Sequence, residues 1–304
     1  MRIKSHTYAL ALFLILLTVI PARGEYFRHL SLDDGLSQPS VIAIQQDRFG
    51  RMWFGTREGV NVYDGVSVVA YKGWVDDPAG GGKVWIGNHV SAITSTPAGD
   101  LFMVMDYNLV KYDIRADRFV RLTESGNIRA LASYESVTTF MSPDSVFAIE
   151  DGNDSIRFLF RLPPAANVTH LALDDRMYYI STERGLHVID RATRRHTMML
   201  ENESIYSTFI GRNNALWICA ENGGLYRKGL NEQVPSLVSM PEVPKSVAGA
   251  KQSRHAVEDF DGRIWYGSVL LRPGFERNTS HRYPGEFGRS QPSVGIRNVL
   301  RPQR

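Results

Sequence analysis

The sequence predicts an all-β fold made of repeated sheet units, and three observations support this prediction. Two stretches, beginning at Val41 and Val90, share the same spacing of apolar runs and turn residues. Short runs rich in Val, Ile, Tyr, Phe and Trp alternate with Gly, Asp and Asn, which is typical of strands and hairpins. No stretch after position 24 keeps a helical period over a sizeable length. Three to four short strands in each repeat indicate β-propeller blades.

The repeat is clearest in two copies. In both, an apolar residue precedes a glycine by nine positions, and an aspartate follows that glycine by fourteen. These anchors are Val41, Gly50 and Asp64 in one copy and Val90, Gly99 and Asp113 in the other. The Asp-x-x-Gly and Thr-x-x-Gly turns supply a residue that adopts positive φ between two strands. Both copies therefore predict the same antiparallel sheet unit.

Four weaker copies extend the array. Asp259–Ser268 overlays Asp47–Thr56 position for position, and a unit without Trp or glycine signature lies around Val137–Ile149. The other two begin near Val168 and Ile205. We therefore predict about six blade units, with an incomplete seven-bladed ring as the alternative. A blade leaves both faces apolar, so we expect the repeated aromatic residues to pack between blades. These residues are Trp53, Phe102, Trp217 and Trp265.

The N-terminal segment, 1–24, has the pattern of a secretory signal peptide. Arg2 and Lys4 precede the apolar run Ala9–Ile20, and small residues lie before a cut at Glu25. The run is shorter than the roughly 18–20 residues that a membrane span needs. We expect an exported protein, and an uncleaved N-terminal anchor stays open as the alternative.

Charge and composition divide the rest of the chain in two. Residues 25–268 hold 25 basic and 30 acidic residues, so the formal net charge of +3 arises at the ends, and a charge-driven nucleic-acid partner is excluded. Residues 269–304 hold seven Arg, four Pro and four Gly without strand alternation, and we expect an irregular tail where the repeat array is cut short. Phe27–Leu30 is similar to Phe119–Leu122, which predicts an outermost strand that completes the last blade.

The stretches Phe27–Val41 and Trp53–Gly65 resemble the opening of two-component regulator propeller proteins, and the Asp259–Ser268 unit matches half of the same pattern. The resemblance covers roughly residues 26–268. It implies that the chain belongs to the periplasmic sensor region of a hybrid two-component system histidine kinase. In this family the sensor region responds to glycans and is built from two successive propellers and a further β-domain.

The resemblance also implies a membrane helix followed by kinase, receiver and DNA-binding domains, all C-terminal to the residues here. It implies an oligosaccharide ligand and a homodimer in the full-length protein. This sequence departs from the family in length, and it holds no His-Glu-x-x-x-Pro motif, ATP-lid glycines or helix-turn-helix. Kinase activity is therefore not carried over to this chain.

The sequence offers little that points to catalysis, a metal or a cofactor. The eight His are scattered without ligand spacing, and no Gly-x-Ser-x-Gly elbow occurs. Asp259–Gly262 is interpreted as a hairpin turn rather than a calcium loop, because the downstream acidic ligand is missing. Residues 80–83 are interpreted as a connecting loop between units, and Cys219 as a buried small hydrophobe. We expect no catalytic residue, no metal and no cofactor.

Blade geometry predicts where a ligand would bind. Strands alternate in direction, so the turn after strand two and the segment leading into strand one lie on the same face, where loops vary on a rigid scaffold. The candidate binding residues there are Arg57, Glu58, His89, Glu183, Arg184, Glu221 and Asn222. For each residue alone, a solvated turn is the competing interpretation. The competing functions are an exported propeller-fold lyase or glycoside hydrolase, and a non-functional gene fragment.

Overall fold

The computed structural model confirms the all-β prediction. Every regular element in the part of the chain that it describes is a β-strand. The described residues are 27–77, 81–123, 127–163, 167–222, 224–238, 255–259, 261–266, 269–271 and 294–297. The predicted signal peptide, residues 1–24, lies outside these ranges. Among the described residues no helix is both long and apolar enough to cross a bilayer.

The chain divides into two compact units, and the larger one, Leu30–Val294, holds the propeller. Blade 1 is a four-stranded antiparallel sheet of β2 (Val41–Gln46), β3 (Met52–Thr56), β4 (Gly59–Tyr63) and β5 (Val68–Tyr71). Blade 2 has six strands, ordered from its outer edge as β7 (Gly82–Trp85), β6 (Trp74–Asp77), β11 (Arg118–Arg121), β10 (Asn108–Asp113), β9 (Leu101–Met105) and β8 (Val90–Ser95).

Three further blades have four antiparallel strands each. Blade 3 contains β12 (Ala130–Tyr134), β13 (Val137–Met141), β14 (Ser145–Glu150) and β15 (Arg157–Arg161). Blade 4 contains β16 (Val168–Leu173), β17 (Met177–Thr182), β18 (Gly185–Asp190) and β19 (His196–Met199). Blade 5 contains β20 (Ile205–Ile210), β21 (Leu216–Ala220), β22 (Leu225–Lys228) and β23 (Ser236–Leu237). The weak unit predicted around Val137–Ile149 is therefore a complete blade.

The last sheet has three described strands, β24 (Ala256–Glu258), β25 (Ile264–Tyr266) and β26 (Val269–Leu271). The sequence predicts that the repeats end at Ser268, but the sheet continues through Leu271, into the expected irregular tail. The register pairs Tyr266 with Val269, so the tail starts as the next strand of a hairpin. The rest of the tail, apart from 294–297, lies outside the described residues.

The smaller unit comprises residues 1–29 and 295–304. The strand predicted at Phe27–Leu30 exists as β1, but it pairs with β27 (Val294–Arg297) in a two-stranded sheet. The expectation that β1 completes the last blade is therefore wrong for the described strands. A three-stranded last sheet and a separate β1–β27 pair replace it.

Blade 2 contains a hairpin that the sequence analysis missed. β6 and β7 pair with each other, and β6 continues the blade by running parallel to β11. Val75 of this hairpin is fully buried in the core between blades 1 and 2. The interpretation of residues 80–83 as a connecting loop is wrong for Gly82 and Lys83, because they begin β7.

Apolar side chains between adjacent blades form the core. The first strands of blades 1 to 5 contact each other in succession, and separate buried clusters lie between neighbouring sheets. Trp53 packs edge-on against Tyr112 of blade 2, with ring centroids 4.7 Å apart. Phe102 and Trp217 likewise belong to the clusters on the sides facing the next sheets, as predicted. Cys219 is fully buried, which raises the pKa of its thiol to about 11.

The turn between the first and second strands of a blade, which we call its corner, repeats with side-chain detail. In blade 1, Asp47 Oδ1 accepts hydrogen bonds from the backbone N–H groups of Phe49 and Arg51. The other oxygen, Asp47 Oδ2, accepts hydrogen bonds from Arg51 Nε at 2.7 Å and from Trp53 Nε1 at 2.9 Å. The corner of the last sheet repeats all four bonds with Asp259, Asp261, Arg263 and Trp265. Trp53 and Trp265 therefore occupy equivalent positions, as the repeat predicted.

Candidate functional site

One face of the propeller carries the turns between second and third strands together with the segments leading into the first strands; we call it the turn face. In blade 1, the backbone N–H of Gly59 donates to the carbonyl oxygen of Asn88 at 2.9 Å, just before β8. Within single blades, the backbone N–H groups of Asp106, Glu183 and Glu221 in the turns donate to the carbonyl oxygens of the leading segments, at His89, Asn167 and Ser204 respectively. The structure thus places turns and leading segments side by side, which is the arrangement that the strand directions predict.

The Thr-x-x-Gly turns have a recurring hydrogen-bond pattern. Thr56 Oγ1 donates to the carbonyl oxygen of Gly59 at 2.9 Å and accepts the backbone N–H of Glu58 at 3.0 Å. The turn from Thr182 to Gly185 repeats both bonds, at 2.9 and 3.2 Å. Gly59 has a φ of +111°, and a side chain there would collide with the backbone of the neighbouring strand. These turns therefore hold their two tip residues rigidly toward solvent.

The predicted residues of blades 1 and 2 lie at this face. Arg57 and Glu58 are exposed at the tip of their turn. Glu58 Oε2 accepts a hydrogen bond from Asn88 Nδ2 at 3.3 Å. His89 is half-buried, and its backbone N–H donates to Asp106 Oδ2 at 2.8 Å.

In blades 4 and 5 the predicted residues bond to the segments that lead into first strands or to the start of those strands. The pairs are Glu183 with Asn167 at 3.1 Å, Glu221 with Tyr206 at 3.1 Å and Asn222 with Glu203 at 2.8 Å. Arg184 is exposed at the tip of its turn. Within the described ranges, no hydrogen bond or ion pair joins predicted site residues of different blades. The seven residues form separate polar groups around one face and do not form one cluster.

A repeated β-bulge marks the start of the first strands, and the sequence analysis missed it. The pairing of first and second strands skips one residue in four blades, at Ile42, Ser91, Thr169 and Tyr206. A bulge leaves its extra residue out of the ladder and redirects the side chain, and bulges are over-represented near functional sites. Tyr206 uses this freedom to donate its hydroxyl to Glu221 on the turn face.

The structure also brings together two histidines from different blades. His170 is the third residue of β16, and His255 directly precedes β24. Their rings lie 6.3 Å apart between centroids at an interplanar angle of 65°. The two histidines are far apart in the chain and show no ligand spacing there, and only the arrangement of the blades makes them neighbours.

Electrostatics keep His170 uncharged near neutral pH. Burial, and secondarily the nearby His255, lower the pKa of His170 to about 4. The backbone N–H of Thr208 donates to His170 Nδ1 at 3.4 Å, so the neutral ring carries its proton on Nε2. His170 can therefore act as a hydrogen-bond donor to a polar ligand. Within the described residues, no three His, Cys, Asp or Glu side chains gather where they could share a metal ion.

Comparison with known proteins identifies the repeat. Residues 35–58 match the profile of the family described as Two component regulator propeller. The matched stretch contains the corner and the turn tip of blade 1, so the similarity to this family lies in blade 1. A histidine kinase P4 from Formosa agariphila is 39% identical over 72 residues, which are 23% of this chain and 5% of that protein. The chain thus spans a small fraction of the length of this relative.

Solved structures share the fold. The extracellular domain of a putative hybrid two-component system from B. thetaiotaomicron superimposes with a TM-score of 0.52 at 18% identity, over 80% of this chain and 40% of that one. The extracellular domain of a putative one-component system from the same organism superimposes with a TM-score of 0.60 at 12% identity, over 86% of this chain and 38% of that one. A catalytically inactive virginiamycin B lyase from Staphylococcus aureus superimposes with a TM-score of 0.66 at 12% identity, over 88% of this chain and 90% of that one. At these identities the likeness shows the propeller fold.

Proposed function

We propose that this chain, which is similar to the two-component regulator propeller family in blade 1, is the ligand-sensing propeller module of a hybrid two-component sensor. The match at residues 35–58 is the observation that carries the proposal. The fold shared with extracellular sensor domains supports it, and so does the 72-residue likeness to a histidine kinase. In this proposal the module works in the periplasm, and phosphoryl transfer belongs to other parts of a longer protein.

We further propose that the ligand is an oligosaccharide bound on the turn face. Sugar hydroxyls are recognised by planar polar side chains placed beside aromatic rings. The turn face presents carboxylates, amides and guanidinium groups on rigid turns, and Tyr107 is 47% exposed there with Arg129 over its ring. The Nε2–H of His170, on the first strand of blade 4, adds a donor.

A glycan array probed with the full chain, followed by calorimetry with any oligosaccharide retained, tests this proposal. We expect binding that weakens about a hundredfold when Glu183→Gln and Arg184→Ala are combined, since each lost hydrogen bond to a charged group is worth roughly 1.5 kcal/mol or more. Glu150→Gln, which changes a carboxylate at the opposite face, is the matched control. If the affinity stays the same in the turn-face variant but falls in the Glu150→Gln variant, the assignment of the site to the turn face is contradicted.

A second candidate function is a propeller lyase. The His170–His255 pair favours it, because imidazoles are the commonest acid–base groups in enzymes. Chromatography of the retained oligosaccharide after incubation separates the two functions. Release of products that stops with His170→Asn would favour the lyase, whereas an intact ligand supports the sensor.

Dimerisation is a further part of the sensor proposal. The resemblance implies a homodimer in the full-length protein, where a ligand signal would pass between two copies. Light scattering of the full-length protein tests this, and a monomer at all concentrations and ligand loads would contradict it.

A further inference from the structure

The corners provide an internal comparison that points to a second binding site. In blade 1, Arg51 Nε lies 2.7 Å from Asp47 Oδ2, and its Cζ lies 5.3 Å from the centroid of the Trp53 ring. In the last sheet Arg263 makes the same ion pair with Asp259, also at 2.7 Å, and lies 5.9 Å from the Trp265 ring. A carboxylate and an indole hold a guanidinium group in both corners.

Blade 5 keeps the backbone of this corner but lacks two of its three side chains. The backbone N–H of Gly211 donates to Ala215 O at 2.8 Å, and that of Asn214 donates to Gly211 O at 2.9 Å. The blade 1 corner makes the same two backbone bonds. By this register Gly211 stands in place of the aspartate, Ala215 in place of the arginine, and Trp217 in place of the tryptophan.

The last sheet supplies the carboxylate that blade 5 lacks. Glu258 Oε2 accepts the backbone N–H of Arg212 at 2.8 Å. A Cβ atom built on Gly211 would lie 2.6 Å from Glu258 Oε2 and 3.1 Å from Trp217 Nε1. The carboxylate of Glu258 therefore lies beside the indole, in the region where Asp47 places its own carboxylate in blade 1.

No side chain of blade 5 corresponds to the arginine, and a cavity of about 100 Å³ lies at this corner. A cavity needs roughly 10–15 Å³ to hold one water, so this one accommodates a group of several non-hydrogen atoms. It is lined by Gly211, Asn213, Ala215, Trp217, Arg227, Glu258, Gly262 and Ile264. The lining combines an indole, a carboxylate, the side chain of Arg227 and five smaller residues.

Arg227 is the cation that lines this cavity. It lies opposite Trp217 in the β21–β22 register, as Lys111 lies opposite Phe102 in blade 2. Lys111 Nζ sits 5.6 Å from the Phe102 ring, but Arg227 Nη1 is bonded to Glu232 Oε1 at 3.1 Å. Among the described residues, no cation of the chain lies over the Trp217 ring.

We propose that the cavity between blade 5 and the last sheet binds the guanidinium group of an external ligand, the side chain of an arginine in a peptide or partner protein. The guanidinium would stack on Trp217 and donate hydrogen bonds to Glu258, as Arg51 does with its own tryptophan and aspartate. A cation over an indole and a charge-assisted hydrogen bond to a carboxylate would both stabilise the bound guanidinium group. The site is distinct from the turn face and does not depend on the proposed function.

Three small amides test the chemistry with the full chain. N-acetyl-arginine amide, its citrulline analogue and N-acetyl-lysine amide are titrated while tryptophan fluorescence and heat are recorded. We expect the arginine compound to bind, the neutral citrulline compound to bind at least about tenfold more weakly, and the lysine compound to fall between them. Equal binding of arginine and citrulline compounds, or no binding of either, would overturn the proposal.

Two substitutions test the place. Glu258→Gln removes the charge and is expected to weaken arginine binding about tenfold, while Glu150→Gln, a distant exposed change, leaves it unaltered. Ala215→Arg supplies the guanidinium from the chain itself, as in blade 1, and is expected to abolish binding without lowering the melting temperature. Full binding by a folded Ala215→Arg variant would overturn the proposal even if Glu258→Gln failed to fold.

Arg227→Gln tests the competing cation. Removing the positive charge from the lining is expected to tighten arginine binding by a few-fold, since like charges repel across the cavity. A loss of binding would show that Arg227 itself holds the probe through an amide carbonyl oxygen, and would overturn the guanidinium assignment.

Discussion

The corners of blades 1 and 5 share one backbone and obtain their carboxylate in different ways. In both, the fourth residue has a positive φ, +83° at Gly50 and +54° at Asn214, and the turn closes with the same backbone bonds. In blade 1 the carboxylate is Asp47, inside the corner itself. In blade 5 it is Glu258, which arrives from the next sheet. The backbone of a corner thus needs its turn residue, whereas its side-chain closure can come from another blade.

This difference has an energetic consequence. The corner of blade 1 is complete within one hairpin, so it can form as soon as that hairpin forms. The corner of blade 5 is complete only when the last sheet docks, because Glu258 belongs to β24. The bond from Arg212 to Glu258 therefore couples the two sheets, and the following changes break or sharpen the comparison.

The largest effect is expected for Asp47→Ala. Asp47 is buried, and its removal leaves Trp53 Nε1 and two backbone N–H groups of the corner without acceptors. We expect a loss of about 3 kcal/mol in the free energy of unfolding, measured by urea titration. Asp175→Ala, which removes an exposed aspartate within the blade 4 corner, should change it by less than about 0.5 kcal/mol. Similar losses for both variants would contradict a special role for the corner carboxylate.

A smaller effect is expected for Glu258→Ala. Its carboxylate accepts one backbone N–H and is partly exposed, so we expect a loss of about 1 kcal/mol. Hydrogen exchange should speed up in β24 and β25 and stay unchanged in blade 1. Faster exchange throughout the propeller would show that Glu258 does not act locally.

The coupling itself is measured by adding Gly211→Asp. Gly211 carries no positive φ, and the nearest obstacle to a new Cβ is the flexible end of Glu258, so an aspartate fits by moving that side chain. In the Glu258→Ala background we expect Gly211→Asp to restore about 0.5–1 kcal/mol, because the carboxylate returns within the corner. In a double-mutant cycle with Glu258 intact the gain should be smaller. If the effects of Gly211→Asp and Glu258→Ala on the free energy of unfolding are additive, the two carboxylates do not play the same role in the corner.

The smallest effect is expected for Asp259→Asn, which changes how the stability of the last sheet depends on acidic pH. Burial alone would raise the pKa of Asp259, but hydrogen bonds from Trp265, Arg263 and Asp261 together hold it below the usual 3.8. A carboxyl whose folded pKa is depressed contributes stability above its unfolded pKa, and this is lost as pH falls through the folded pKa. Asp259→Asn should therefore flatten the pH dependence of unfolding below about pH 4. An unchanged acid profile would contradict this contribution.

Some of the site was readable from the sequence and some was not. The Thr-x-x-Gly turns were predictable because the hydroxyl of Thr56 or Thr182 bonds within its own turn. The β6–β7 hairpin was missed, because it joins blade 2 through a parallel pairing with β11, a strand distant from it in the sequence. The His170–His255 pair had no local signal at all.

Local spacing determined the repeat, the corners at Asp47 and Asp259 and the rigid turns, since each rests on hydrogen bonds between near neighbours in the chain. The sequence could also indicate the face on which those turns lie, because strand direction alternates. Only the tertiary structure decided which distant groups meet there. The carboxylate of Glu258 reaches the indole of Trp217 because two sheets pack side by side, and no spacing in the chain encodes that contact.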